Sequence, residues 1–351
     1  MNAVKSQATK APLDYSSLPF GYQKTDMNIR YVWRDGSWDE GSESTEEHLP
    51  LHIAATALHY GQAVFEGLKV YETPDGRAQT FRIEENAKRF QHSAEMLSMV
   101  APPTELFIEA VHRVVRGNQR FIPPHGTGAA LYVRPLLIGT GANIGVAPSS
   151  EFTFIVLVSP VGPYFKQGFA PTKLVIEDEL ERAAPHGVGT AKAGGNYAAG
   201  MRATVKARQN GFGEALYLDT TKQYIDELGA ANFFGITEDK RYITPDSPSV
   251  LRSITNMSLR TLAADMGYSV EHRPVHVDEL HTFVETGACG TAAVITPVES
   301  ITWGKEEIVY LKDGKPGPHC TALYNRLVAI QNGDIEDPYG WTEEVPLGQS
   351  R

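Results

Sequence analysis

In Thr190-Ala191-Lys192-Ala193-Gly194-Gly195-Asn196-Tyr197 a single lysine stands among small residues just ahead of a helix-like stretch. Small neighbours let a flat ligand come close to the amine. Burial or a nearby cation lowers a lysine pKa, and the neutral amine then forms a Schiff base with an aldehyde. Taken alone, the octapeptide reads more simply as a solvated loop lysine beside a helix start.

A second stretch, Tyr224-Ile225-Asp226-Glu227-Leu228-Gly229-Ala230-Ala231-Asn232-Phe233-Phe234, offers a complementary group. A carboxylate next to a pyridine nitrogen keeps it protonated, which makes the ring an electron sink for a carbanion at a substrate α-carbon. Glu227 is suited to that task, although Asp226 and Glu227 also fit the polar faces of a turn ahead of the Phe233-Phe234 strand. Leu251-Arg252-Ser253-Ile254-Thr255 leads into a helix with Met257, Leu259 and Leu262 on its stripe, ending near Gly267. Free N–H groups at such a start, with a hydroxyl beside them, form a phosphate site. An ordinary capped helix is the plain alternative. Ala288-Cys289-Gly290-Thr291-Ala292 is another small-residue turn with a hydroxyl.

These stretches need elements to hold them. The spacing of Phe90, Ala94 and Leu97 predicts a helix over Asn86–Met99, and Thr104 is a candidate N-cap for a second, with Leu106, Ala110, Val111, Val114 and Val115 before Gly117. Leu131–Ile138 and Phe152–Val158 are strand-like, with Pro135 placing the first at an edge or a bulge. Two prolines and two glycines in Ser159–Gly168 mark an interdomain connection. Beyond it, strands are expected at Ala215–Leu218, Asn232–Thr237 and Ala292–Thr296, and helices near Asn196–Arg208, Asn256–Met266 and Thr321–Gln331. The division is a lead-in over 1–30, mostly disordered, a small α/β domain over 31–158, a connecting loop over 159–170 and a larger domain over 171–351. Strands and helices alternate without a repeat, so the class is α+β or mixed α/β.

The 351 residues, 42% apolar and 21% charged, have globular composition and length for about two domains of roughly 150 residues. A net charge of -10 repels a nucleic-acid backbone or an anionic membrane, so a small-molecule ligand fits better. No apolar run reaches the ~18 residues of a membrane span. Neither a signal peptide nor a transit peptide is expected at the start. Cys289 and Cys320 are too few for a disulfide framework and lack zinc-type spacing, pointing to a reducing compartment with the cytoplasm as default and no metal.

Together the blocks become specific. Lys192-Ala193-Gly194-Gly195-Asn196-Tyr197, Glu227-Leu228-Gly229 with Asn232, Ser253-Ile254-Thr255 and Gly290-Thr291-Ala292 resemble, in order and spacing, the motif set of fold-type IV aminotransferases. Leu58-His59-Tyr60-Gly61 through Phe65-Glu66-Gly67-Leu68-Lys69, Leu131-Tyr132-Val133-Arg134-Pro135 and Ser159 to Phe165 resemble the branched-chain amino-acid aminotransferases in particular. The likeness runs from about Tyr31 to Trp341. It implies a two-domain α+β fold of the D-amino-acid aminotransferase type and pyridoxal 5'-phosphate as cofactor.

By that resemblance, Lys192 is the catalytic residue that binds the cofactor aldehyde and shuttles the proton between substrate Cα and C4′. Tyr197 would bond the phenolic oxygen, Glu227 the ring nitrogen, and Arg89, Ile254, Thr255 and Thr291 the phosphate. Tyr60 and Phe65 match walls of the substrate pocket, and Tyr132 and Arg134 match residues that let it accept glutamate. Ile144 and Val146 would come from the neighbouring subunit of a homodimer. Backbone amides near Thr291 and Ala292 would hold the α-carboxylate. The implied reaction is ping-pong transfer of the amino group of L-leucine, L-isoleucine or L-valine to 2-oxoglutarate. A D-amino-acid aminotransferase or an aminodeoxychorismate lyase would share Lys192, Glu227 and the phosphate turns, and a non-catalytic ligand-binding protein is the remaining alternative. Two departures stand out. Ala293 and Thr296 replace the Cys-x-x-Cys redox pair of mammalian members, so thiol control is not expected. Ser253 stands where many members have glycine, which bears on the backbone of the phosphate turn.

Overall fold

The strand Phe152–Val161 is almost wholly apolar because both its edges and both its faces are covered. A computed structural model, describing residues 13–163 and 169–348, pairs it antiparallel with Ala130–Gly139 on one side and Asn28–Arg34 on the other. From there a nine-stranded sheet extends through Leu68–Glu72 and Ala78–Phe81 to the C-terminal strand Thr342–Glu344. Two helices, Ile83–Met96 and Thr104–Gly117, lie on it and bury an aromatic cluster. Phe90, Phe107 and Phe154 meet at centroid distances of 5.4 to 6.0 Å, the range in which aromatic pairs attract beyond their buried area.

The second sheet closes on itself. Its order runs Ile225–Leu228, Glu214–Leu218, Thr172–Glu177, Val294–Trp303, Phe283–Gly290 and Asn232–Thr237, and the last of these pairs back with the first at Glu227 and Asn232. A closed barrel has no open edge to protect. The strands Arg241–Pro245 and Ser269–Arg273 extend it, and Glu306–Val309 pairs with Val294–Trp303. Three helices belong to this half: Gly194–Gln209, Ile254–Asp265 and Pro318–Gln331.

Several sequence expectations need correction. Pro135 lies in an interior strand, neither at an edge nor at a bulge in its own pairing, which runs unbroken opposite Phe152–Val161. It is tolerated because its carbonyl accepts from Glu66 N–H, so its missing N–H faces the break between Ala63–Phe65 and Leu68–Glu72, where no regular ladder runs. Ser159, Pro160 and Val161, expected in the connection, complete a strand; residues 164–168 of that connection lie outside the described residues. Of the lead-in expected to be disordered, residues 1–12 also lie outside the described residues, but from 13 onward the chain is fastened down. Asn118 Oδ1 accepts from the amides of Asp26 and Met27, and Ser159 Oγ accepts from Gln23 N–H. Thr104 opens its helix as the first helical residue, with Pro103 at the cap. Ala292 is in a turn, and the strand after it begins at Val294.

Candidate active site

Lys192 sits where the two sheets meet. Its carbonyl accepts from Phe65 N–H at 3.1 Å, its own N–H donates to Ser93 Oγ at 2.8 Å, and the next residue, Ala193, bridges to Val64. The first half thus clamps the lysine backbone, while the helix that follows belongs to the second. Its amine donates to the Tyr197 hydroxyl at 2.7 Å and lies 4.8 Å from the centre of the Phe65 ring. Lys192 lies just before the cap of the helix Gly194–Gln209 and Tyr197 in its first turn, which brings amine and phenol together, and Phe65 stands edge-on to Tyr197 at 4.8 Å.

Arg134 lies over the same Phe65 ring at 4.7 Å and donates to the Tyr132 hydroxyl at 2.9 Å. Alternation along one strand puts both on one face, as the period of two requires. Lys69, paired in register with Tyr132, donates to the carbonyl of Ala292 at 2.8 Å and so joins this wall to the turn Thr291–Ala293. Burial pushes its ammonium down to about 8. Gly67 is required here, since a Cβ would collide with the Tyr132 hydroxyl. The turn ends on Val294 at φ 64°, a left-handed conformation that strains a β-branched residue.

Arg89 and Glu66 form a buried two-pronged pair, with Arg89 Nε at 2.6 Å and Nη2 at 2.8 Å from the carboxylate oxygens. Burial works to raise the Glu66 carboxyl, but Arg89, Asn86 and the charge of Lys192 override it and hold it below its ordinary value. Arg89 Nη1 reaches on to the carbonyl of Arg252, tying the first half to the turn before the helix Ile254–Asp265. At that turn Ser253 has φ -74° and ψ 125°, ordinary for any L-residue, so the serine brings no strain. Its hydroxyl caps Asn256 N–H, which starts the helix two residues before the expected Asn256. The Ile254 and Thr255 amides, at the open end of this helix, make no hydrogen bond among the described residues.

Glu227 is 3% exposed at the closure of the barrel. It accepts from Leu251 N–H at 2.8 Å and from Asn232 Nδ2 at 2.7 Å, and Arg182 lies 2.8 Å away. Burial raises its carboxyl pKa, against the pull of Arg182, Leu251 and Asn232. Asn232 is fixed in turn by Asn256, which also donates to Thr244.

Of the residues singled out in the sequence, Phe65, Tyr132, Arg134, Lys192 and Tyr197 form one connected group. Arg89, Glu227, Ile254, Thr255, Thr291 and Ala292 stand at its ends, joined through Glu66, Arg252, Leu251 and Lys69. Tyr60, Ile144 and Val146 are placed apart: the Tyr60 hydroxyl donates to the Ile144 carbonyl, and Ile144 and Val146 are 81% and 91% exposed. Sequence reasoning missed Glu66 as the partner of Arg89, Ser93 as the clamp on Lys192, and Arg182. Glu66 stood inside a quoted motif, whereas Arg182 carries no local signal. Cys289 and Cys320 are buried free thiols whose pKa burial raises.

An amine held on a phenol where two sheets meet, tied through Arg89 and Arg252 to a helix start and a buried carboxylate, is the equipment of an aminotransferase of class IV. A sequence profile described as amino-transferase class IV matches residues 63–301. The branched-chain-amino-acid aminotransferase of Haemophilus influenzae is 48% identical over 340 residues, covering 95% of this chain and 99% of that protein. The chloroplastic branched-chain-amino-acid aminotransferase 5 of Arabidopsis thaliana is 42% identical, covering 98% and 84%. Among solved structures, the Escherichia coli branched-chain amino acid aminotransferase superposes with TM-score 0.77 at 28% identity, covering 92% of this chain and 100% of that one. The T.th. branched-chain amino acid aminotransferase complexed with N-(5'-phosphopyridoxyl)-L-glutamate gives 0.72 at 28%, covering 90% and 98%. The chain belongs to the class IV aminotransferases and, within them, to the branched-chain-amino-acid aminotransferase family.

Proposed function

We propose that this protein is a pyridoxal-phosphate transaminase that moves the amino group of L-leucine, L-isoleucine or L-valine to 2-oxoglutarate, yielding the branched 2-oxo acid and L-glutamate. The observation that carries it is the Lys192 amine held on the Tyr197 hydroxyl beside Phe65, joined through Glu66, Arg89 and Arg252 to the helix start at Ile254 and Thr255, whose amides have no partner among the described residues, and to the buried Glu227 carboxylate. This donor set fits the cofactor group by group: amine for aldehyde, carboxylate for ring nitrogen, amides and Arg89 for phosphate. When bound, pyridoxal phosphate supplies the aldehyde and a protonated ring that takes up the electron pair left at the substrate α-carbon.

The protein's own groups do the rest. Lys192 would take the proton from the substrate Cα as a general base and deliver it to the cofactor's C4′ as an acid. Tyr197 aims the amine. Phe65, edge-on to Tyr197, walls an apolar pocket for a branched hydrocarbon. Arg134 and Tyr132, on the same wall, receive the side-chain carboxylate of glutamate. The amides of Thr291 and Ala292 take the α-carboxylate. Ile144 and Val146, with Tyr60 beside them, complete the pocket of a second copy in a homodimer, which accounts for apolar side chains left in solvent. The small domain is read as 31–158 and the large one as 171–351. No helix among the described residues is long and apolar enough to cross a membrane, and the proposed location is the cytoplasm.

Borohydride reduction of the purified protein with bound cofactor, followed by peptide mapping, tests the assignment together with a panel of amino donors. A label on Lys192 and activity with L-leucine are expected. A label elsewhere, or preference for D-alanine, would sink it.

A further inference from the structure

Arg182 is 4% exposed, and its Nη2 lies 2.8 Å from Glu227 Oε1. The geometry of that contact is ionic, since Nη2 donates its hydrogens to the carbonyls of Gly189 (2.7 Å) and Ser249. Arg182 Nε has no partner among the described residues. Glu227 receives its directed hydrogen bonds from Leu251 and Asn232, so Arg182 contributes charge. Among the described residues, the other titratable groups that act on Glu227 are Asp226, its neighbour in the strand, and the buried Cys289 thiol one strand beyond Asn232, neither of them cationic. Arg252 and Arg260 line the pocket beside Asn232 and Leu251.

A carboxylate this deep has lost its hydration, and burial favours the neutral acid. A neutral glutamic acid has no negative charge to hold a protonated ring nitrogen. The opposing force is a cation at contact distance, which is strongest where water is excluded. A guanidinium suits this place because it forks to several acceptors, whereas an ammonium set against the same carboxylate would supply the charge alone. We propose that Arg182 is a positioning residue for the cofactor ring: it keeps Glu227 ionised and, through Gly189 and Ser249, fixes that carboxylate between the Lys192 loop and the phosphate turn. This rests on the reading of the cavity as a pyridoxal-phosphate site.

The test compares Arg182→Met, Arg182→Lys, Glu227→Gln and the double variant Arg182→Met/Glu227→Gln with the parent. The readouts are the dissociation constant for pyridoxal phosphate added to apoprotein and the pH dependence of the bound cofactor's absorbance. Arg182→Met is expected to lose at least about tenfold in affinity, the equivalent of one pKa unit, and to displace the pH dependence of the absorbance. Arg182→Lys, which keeps charge but cannot fork, stays within about threefold of the parent. In the Glu227→Gln background the Arg182 change adds less than about twofold, because the charge it serves is gone. Should Arg182→Met not fold, Arg182→Lys carries the decision: retained affinity supports the proposal, and a loss of about tenfold assigns Arg182 to loop tethering alone and overturns it. An equal loss in the Glu227→Gln background also overturns it, as does an Arg182→Met protein identical to the parent. If Glu227→Gln alters the absorbance and Arg182→Met does not, only this inference fails. If the parent binds no pyridoxal phosphate, or Glu227→Gln changes nothing, the reading of the site fails with it.

Discussion

The Lys192 amine donates to the Tyr197 hydroxyl at 2.7 Å, five residues on and across the start of one helix. Replacing Lys192 by alanine removes the nucleophile and the base but no core contact. Turnover with L-leucine is expected to fall by at least about a thousandfold, with circular dichroism and melting temperature close to the parent. Ordinary turnover in that variant would end the catalytic assignment.

Lys69 links folding stability to pH. Its pKa falls from 10.5 to about 8 on burial, so between those values the unfolded chain holds a proton that the folded one has lost. Stability therefore rises with pH across that window. Lys69→Met should lose this rise, and denaturant melts at pH 8 and 10.5 measure it. Freed from its tie, the Ala292 carbonyl no longer steadies the turn, and KM for L-leucine is expected to increase about tenfold with less change in kcat. A parent and variant with the same pH slope would contradict the assignment.

Val294 and Val298 lie in the same strand, both buried, but only Val294 is left-handed. Truncation to glycine at Val298 is expected to cost about 3 kcal/mol, as buried large-to-small changes do. The same change at Val294 recovers about 1 to 3 kcal/mol of backbone strain and should cost less than about 1 kcal/mol. Equal costs in thermal unfolding would show that the strain is not there.

The proposed homodimer places Ile144 and Val146, both largely exposed in the single chain, at its interface. Charging the face with Val146→Asp should convert a dimer to a monomer by light scattering and lower turnover at least about tenfold, while the isolated chain keeps its fold. Unchanged mass would remove this loop from the interface.

Most helices and strands were legible because apolar residues recur at helical or alternating spacing. Asn232–Thr237 was read to the residue. Edges were less so. Ser253 moved one helix start through a side-chain cap, and Pro135 entered an interior strand because the ladder on the side of its missing N–H breaks between Ala63–Phe65 and Leu68–Glu72. The candidate residues stood in short motifs, and short spacing along the chain puts Lys192 by Tyr197 and Tyr132 by Arg134. What the sequence could not disclose were pairings across the fold. Glu66 with Arg89, Lys69 with Ala292 and Arg182 with Glu227 are made by topology, and nothing local in Glu181-Arg182-Ala183 marks a buried cation.

The clamp on the Lys192 backbone has a consequence for heat. Phe65 and Ser93 hold it from one half of the molecule, and Glu227 waits in the other. The seam between them is crossed by single ties, such as Arg89 to the Arg252 carbonyl and Lys69 to the Ala292 carbonyl, each worth about 1 kcal/mol, and by an apolar cluster that takes in Phe81 with Leu327 and Ile330. On warming, any slip along this seam parts Lys192 from Glu227, and the protein falls silent before either sheet need unravel.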